Sequence, residues 1–210
     1  MKKKFILFDF DGVIADSFRP AFDVHKTIRP HMDEEDFRGR FDGNVNDWAA
    51  SQQNPAEVTQ QDDNFVAEYL KIFGTKVQIF AGMENVIVKL AGDYTLVIIS
   101  STRTSVIEEF LAKHNLSKYF INVLGNDVHA SKVEKMRMVF EKYKISADDC
   151  VFVTDTLGDL NEAAEVNVGA IAVTWGFHGS ERLLKAKSFR LVEKPGDLIV
   201  AVSDYFKTIK

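Results

Sequence analysis

Phe5-Ile6-Leu7-Phe8-Asp9-Phe10-Asp11-Gly12-Val13 decides the fold. Four apolar residues make a run of strand length, two aspartates follow with a phenylalanine between them, and a glycine lets the backbone turn away. Buried parallel strands read as unbroken apolar runs, and open α/β sheets bind ligands beyond the carboxyl ends of their strands. Asp9 and Asp11 are therefore expected at the tip of a central strand. Two acids crowded at such a tip repel each other and lose solvation, so a cationic group is expected beside them.

Downstream of this strand the chain divides in two. From Ile14 to about Phe80 it shows helical periodicity and no convincing strand. Asp33 to Asp36 looks like an acidic first turn, Arg38 to Asn44 reads as a loop, and Pro55 opens a longer helix closed by Gly74. From Ala81 onward helix and strand alternate. Strands are expected at 94–99, 121–124, 150–154, 170–174 and 189–192. Ser105 with Glu108, and Ser131 with Glu134, have capping-box spacing, and a further helix starts around Asp159 and Glu162. Such alternation implies a parallel sheet with right-handed crossovers. The expected fold class is thus α/β, a doubly wound parallel sheet carrying an inserted all-helical unit.

Composition narrows the possibilities. The chain has 210 residues, 46% of them hydrophobic and 27% charged, which suits one α/β domain with a modest insertion. Its net charge of −5 and lack of a basic tract argue against a nucleic-acid partner. The lone cysteine, Cys150, cannot form an internal disulfide; it fits a reducing cytoplasm and reads as a packed structural thiol. Met1 to Phe8 faintly imitates a signal peptide, but Asp9 and Asp11 interrupt the apolar stretch too early. No run approaches membrane-spanning length. Nothing reads as a coiled coil or a sticky edge, so a monomer suffices and the oligomeric state stays open.

Three strands are expected to end in polar residues: Asp9 and Asp11, Ser100 and Ser101, Asp155 and Asp159. Each alone has an ordinary explanation. Ser100 could sit in a turn, Lys132 on the surface, and Asp159 at a helix N-cap. Together they are harder to dismiss, because parallel topology brings those tips to one edge. Lys132 is the most telling, since a lysine in a first helical turn opposes the helix dipole. A site that holds a phosphate dianion would explain it, with Lys135 the rival one turn later.

These groups suit phosphoryl transfer. A carboxylate can attack phosphorus and split hydrolysis into two easier steps. Mg²⁺ prefers oxygen ligands and is held by one or two carboxylates with phosphate and water, and it would relieve repulsion among Asp9, Asp11 and Asp155. Ser100, Lys132 and backbone N–H groups around Gly12 and Ser101 would hold the non-bridging oxygens. Asp11 is then free to protonate the leaving oxygen and later to activate water.

At these residues the sequence resembles the haloacid dehalogenase (HAD) superfamily across nearly its whole length. Asp9-Phe10-Asp11-Gly12-Val13 resembles the family's DxDGx motif, and Ile14-Ala15-Asp16-Ser17 continues it as in the phosphoglycolate phosphatase-like branch. Ser100 matches the second motif and Lys132 the third, although Val133 stands where many relatives have proline. Thr154-Asp155-Thr156-Leu157-Gly158-Asp159 matches the fourth, usually GDxxxD, with Thr154 replacing glycine. The resemblance implies Asp9 as nucleophile and metal ligand, and Asp11 as acid/base with its main-chain carbonyl on Mg²⁺. It implies Asp155 as a direct metal ligand and Asp159 as a direct or water-mediated one. A core of residues 1–16 and 81–210 and a mobile helical cap of residues 17–80 are implied too. The loop Gly39 to Asn46 occupies the position of the family's specificity loop, which makes Arg40, Asp42 and Asn44 candidate substrate contacts.

The reading that results is a Mg²⁺-dependent phosphatase for a small phosphorylated metabolite. A dehalogenase is disfavoured by Asp11. A phosphomutase resembling β-phosphoglucomutase would carry a histidine where this chain has Ala21, although His25 is close. A phospho-accepting signalling domain would not need Asp11. Arg103, His31 and His178 read as surface or packing residues without an assigned role.

Overall fold

The computed structural model describes residues 4–44, 48 and 55–209. Each expected apolar run forms a strand: β1 (Phe5–Phe8), β4 (Thr95–Ile99), β5 (Phe120–Leu124), β6 (Cys150–Thr154), β7 (Gly169–Val173) and β8 (Arg190–Val192). They make one six-stranded sheet in the order β5-β4-β1-β6-β7-β8, and every pairing is parallel. β1 is central: its side chains are apolar on both faces and both its edges are paired, with β4 on one and β6 on the other. Ile6 and Phe8 join one core cluster and Phe5 and Leu7 the other, as the two-residue period of a strand requires.

Helices cover both faces. On the Ile6 and Phe8 side lie α4 (Met83–Asp93), α5 (Thr104–Lys113) and α9 (Leu198–Thr208), contributing Ile87, Leu90, Ile107 and Leu198. On the Phe5 and Leu7 side lie α6 (Lys132–Tyr143), α7 (Leu157–Glu165) and the short α8 (Ser180–Leu183), contributing Met136, Val139, Leu160 and Leu183. Cys150 is packed in this second layer, where burial pushes its thiol up to about 12.

The segment after β1 corrects the expectation of no strand between Ile14 and Phe80. β2 (Ala15–Asp16) and β3 (Gln78–Ile79) pair antiparallel, so the chain leaves and re-enters the core along one narrow ribbon. Two-residue strands are too short to produce a period. Between them stand α1 (Phe18–Ile28), α2 (Glu34–Gly39) and α3 (Pro55–Lys76). Their aromatic residues Phe22, Phe37, Tyr69 and Phe73 pack into the same cluster as Ile6 and Phe8.

Several helix ends move from their expected places. Asp33 caps α2 in a full capping box with Asp36, but α2 runs on through Arg38 and Gly39, which the sequence placed in a loop. α3 passes through Gly74 and ends at Lys76. α5 begins at Thr104 after Arg103, so Ser105 lies inside the helix and caps nothing; the Thr104 N–H and hydroxyl are instead taken by the Asp127 carboxylate. Ser131 does cap α6, accepting the Glu134 N–H.

Candidate active site

The carboxyl ends of β1, β4 and β6 open onto one cleft of about 360 Å³, bounded opposite by Phe37, Arg40, Asn44 and Tyr69. β1 stops at Phe8, so Asp9 is the first residue beyond it, and the Asp9 N–H still bonds to the Val153 carbonyl of β6. Its side chain is buried: Oδ1 accepts the Phe10 N–H at 2.7 Å and Oδ2 accepts Lys132 Nζ at 2.7 Å. The cation expected beside the acids is therefore Lys132. Its ammonium also donates to Asp159 Oδ2 at 2.7 Å, bridging two acids 150 residues apart in sequence. Lys135 does not compete. Fully buried, it donates to the carbonyls of Ser100 (2.6 Å) and Gly125 (3.4 Å), fastening the loops behind the cleft.

The second acid has a different environment. Asp11 Oδ2 accepts the Thr102 hydroxyl at 2.7 Å, and Oδ1 accepts the Tyr69 hydroxyl at 3.4 Å. Its carboxylate is thus held by hydroxyls and not by the Lys132 ammonium, whose charge still acts on it. Gly12 turns the chain here with φ +73°, and a Cβ on it would stand 1.9 Å from Asp155 Oδ2. Only glycine allows both that turn and that approach.

Asp155 follows β6 directly, its Oδ2 accepting the Phe177 N–H at 2.6 Å while its buried Oδ1 has no hydrogen-bond partner. Asp159 is not the N-cap of α7. Thr156 is, accepting the Asp159 N–H, and Asp159 sits in the first turn with its carboxylate turned inward. The Thr154 hydroxyl, where glycine is usual in the motif, donates to Asp159 Oδ2 at 2.6 Å. This departure from the motif adds a donor to the acid pair.

Burial dominates the electrostatics. It raises Asp9 well above the usual carboxylate range against the pull of Lys132, with the charges of Asp159 and Asp155 adding to the rise. It raises Asp11 too, opposed first by the Thr102 hydroxyl, and lifts Asp155 to about 7. Burial is the largest influence on Asp159 and would raise it, but the charge of Lys132 together with hydrogen bonds from Asp9, Lys132 and Thr154 outweighs burial and holds that acid low. Lys132 stays protonated despite burial, because Asp159 and Asp9 flank it.

These groups can receive a divalent cation. An orphaned, buried carboxylate oxygen on Asp155 beside Asp9 is the kind of hard donor Mg²⁺ takes, and one or two carboxylates are its usual protein share. Among the described residues, no three such side chains already converge on a point, and the Asp11 carboxylate is taken up by the Thr102 and Tyr69 hydroxyls.

The other expected contacts are spread along the cleft. Ser100 is buried and its Oγ accepts the Thr102 N–H at 2.9 Å, whereas Ser101 and Arg103 line the wall. Arg40 is buried, stacked over the Trp48 ring at 4.3 Å and donating to His25 Nδ1 at 3.1 Å. His25 is packed against Phe37 and Phe65 and is engaged by that arginine. Asn44 donates to Glu162 at 3.0 Å. In the loop that also contains Arg40, Val45 and Asn46 lie outside the described residues.

Four contributors went unforeseen. Thr102 and Tyr69 hold Asp11. Glu162 accepts both the Asn44 amide and the Lys132 N–H, raised by burial and the nearby Asp159. His178, read as a surface residue, is fully buried; its Nδ1 accepts the Leu157 N–H at 3.0 Å and its Nε2 faces the Arg38 carbonyl at 2.9 Å. In the sequence Thr102 carried a signal as a hydroxyl two residues past Ser100, and His178 one through Trp175-Gly176-Phe177-His178, which resembles a loop bordering the pocket in relatives.

Comparison with known proteins agrees with this fold. The haloacid dehalogenase-like hydrolase family matches residues 6–173. A phosphoglycolate phosphatase of Synechococcus elongatus is 25% identical over 212 residues, covering 96% of this chain and 98% of its own. Among solved structures, a haloacid dehalogenase-like family hydrolase of Streptococcus pneumoniae superposes with a TM-score of 0.78 at 20% identity, covering 95% of this chain and 98% of its own. CbbY of Rhodobacter sphaeroides, solved in complex with phosphate, superposes with a TM-score of 0.75 at 15% identity, covering 96% of this chain and all of its own, at 100%. Among the described residues no helix is long and apolar enough to cross a membrane. The chain belongs to the haloacid dehalogenase-like hydrolases, in the phosphoglycolate phosphatase-like branch.

Proposed function

We propose that this chain is a Mg²⁺-dependent phosphatase that hydrolyses a small phosphomonoester through an aspartyl-phosphate on Asp9. The observation that carries the reading is the pair formed by Asp9 Oδ2 and Lys132 Nζ at 2.7 Å on the floor of the cleft. A lysine there opposes the burial that raises Asp9, favouring its ionised form, and presents charge to an incoming phosphoryl group.

Asp9 attacks phosphorus as the bond to the leaving oxygen breaks, and Asp11 supplies that oxygen with its proton. Asp11 then takes a proton from the water that attacks the aspartyl-phosphate, which frees phosphate and restores Asp9. Lys132 and the polar groups at Ser100, Ser101 and Gly12 bind the non-bridging oxygens. Asp159 holds Lys132 in place. A divalent ion bound by Asp9 and Asp155, with Asp159 at hand, would neutralise charge on the phosphoryl oxygens.

Residues 1–16 and 81–210 act as the catalytic core and residues 17–80 as a cap that closes over the cleft, with Arg40 and Asn44 reaching the substrate from the cap side. A cleft of this size suits a small metabolite, and the relatives named phosphoglycolate phosphatase make 2-phosphoglycolate the first compound to assay. One buried cysteine fits a reducing cytoplasm.

Phosphate release from an aryl phosphate, with Mg²⁺ and with a chelator, tests the reading. Turnover should require the metal, and Asp9→Asn should lower kcat by on the order of a thousandfold or more with the circular dichroism spectrum unchanged. Undiminished turnover by Asp9→Asn would remove Asp9 as nucleophile.

A further inference from the structure

α3 reaches the catalytic loop through a ladder of aromatic side chains. Phe65, Tyr69 and Phe73 fall at helical spacing on one face, with Phe65 stacked on Tyr69 at 5.4 Å and Tyr69 edge-on to Phe73 at 5.4 Å. Phe73 in turn stacks on Phe10, the residue between the two aspartates, at 6.0 Å. The same helix that grips Phe10 therefore brings the Tyr69 hydroxyl to Asp11. Tyr69 is itself buried, and a buried phenol needs a polar partner.

We propose that Tyr69 is a positioning residue for Asp11, a hydroxyl carried by the cap that aligns the proton-donating carboxyl only when the cap is seated. The inference rests on the assignment of Asp11 as acid/base. Thr102 fixes Oδ2 at 2.7 Å from the core, which leaves the carboxyl plane free to rotate about that contact. Tyr69 fixes the other oxygen from the opposite side, and two points define the plane. Its 3.4 Å separation is long for an O–H···O bond, a contact that shortens as the cap settles on a substrate. Ser17, buried beside both groups, brings a hydroxyl that favours the ionised form of each and closes the pocket around them. Proton delivery to the leaving oxygen is thereby linked to cap closure: an open cap leaves Asp11 held at one oxygen only, and a substrate that fails to seat α3 is not supplied with its proton.

The test exploits the leaving group. An alkyl phosphate departs as a strong base and depends on the proton from Asp11, whereas an aryl phosphate departs as a weak base and depends on it little. Tyr69→Phe removes one oxygen and keeps the ring ladder. We expect the alkyl-to-aryl ratio of kcat/KM to fall about tenfold in Tyr69→Phe, mainly through kcat, against the hundredfold or more that loss of a general acid costs in Asp11→Asn. A role confined to packing would lower both substrates together and leave the ratio unmoved, and that result overturns the inference. If Asp11→Asn changes the ratio and Tyr69→Phe does not, the inference fails while the phosphatase reading stands. If neither changes it, the assignment of Asp11 fails and takes the inference with it. Should Tyr69→Phe lose its fold, Phe73→Leu, which loosens the seating of α3 without touching Asp11, must shift the ratio in the same direction.

Discussion

A histidine set beside two guanidinium groups resists taking a proton, and His25 is in that position. Burial first, then the charges of Arg40 and Arg29, lower it from 6.5 to about 3. The unfolded chain therefore binds a proton below pH 6.5 that the folded chain refuses, so stability is unaffected above that pH and falls as pH drops from 6.5 towards 3. Each pH unit in that window removes up to about 1.4 kcal/mol. Replacing His25 with glutamine, whose carbonyl can still accept from Arg40, should make the loss between pH 7 and pH 4 smaller by about 2–3 kcal/mol than in the native chain. Parallel acid-unfolding curves for the two proteins would rule this out. His25 also marks where sequence reading stops at this scale. Its separation from a mutase-like histidine could be counted along the chain, and Arg29 stands one helical turn on, but Arg40 is brought to it from beyond α2 by the fold. Lys132 and Lys135 illustrate the same limit. Both lie on one face of one helix, Lys132 at its first residue and Lys135 one turn on, and only that step along the axis, which brings one to Asp9 and the other to two carbonyls, separates their work.

At the scale of elements, the N-terminal turn of α7 is the joint between the sheet and the helical insertion. Gly158 makes it possible: its N–H donates to the Phe41 carbonyl at 3.0 Å, and a Cβ there would stand 2.2 Å from the Gly43 carbonyl oxygen. Backbone cannot yield to such an overlap as a flexible side chain can, so Gly158→Ala must push the loop of Phe41 to Asn44 off α7. It would then strain the bond from Asn44 to Glu162 and tilt the turn that aims Asp159. We expect Gly158→Ala to lower kcat/KM by about tenfold, a value typical of small displacements of catalytic groups. Gly74→Ala is the control. That glycine lies within α3 with nothing in contact distance of its Cβ position, so alanine should stabilise the protein by about 0.5–1 kcal/mol. Equal effects of the two substitutions on activity would contradict the close-packed joint. Elements of this kind were legible in proportion to their repetition. The four inner strands announced themselves through apolar runs and α7 through its acids, whereas Asn122 interrupts β5 and Arg190 opens β8 at the sheet's two edges. β2 and β3 did not, nor did the true start of α5, because a two-residue ribbon and a cap supplied by Asp127 from another loop leave no period to read.

Across the whole molecule, the seam between insertion and core is held by bonds of unequal worth. On its outer side Arg182 pairs with Glu35 at 2.8 Å and Asp42 at 3.0 Å, and these acids are 75% and 42% exposed at the side chain. Exposed ion pairs contribute about 0–1 kcal/mol, since water already solvates both partners and salt screens the attraction. On its inner side His178, wholly buried, links the Leu157 N–H of α7 to the Arg38 carbonyl of α2. Its neutral form suits this bridge, with one ring nitrogen accepting and the other donating, and burial favours that form by lowering its pKa. Truncating it removes both bonds, leaves two backbone groups without partners and opens a cavity, a combination that costs about 3 kcal/mol. His178→Ala should therefore shift the urea midpoint several times further than Arg182→Ala, and high salt should narrow the difference between native and Arg182→Ala proteins while leaving the His178→Ala deficit in place. The reverse order would mean that the charged rim, not the buried histidine, joins the two parts. If the order holds, the bridge has a consequence for turnover. α7 carries Asp159 and follows Asp155, so the strongest tie across the seam ends on the turn that holds Lys132 against Asp9, and loosening it must reach the cleft even though His178 touches none of those side chains.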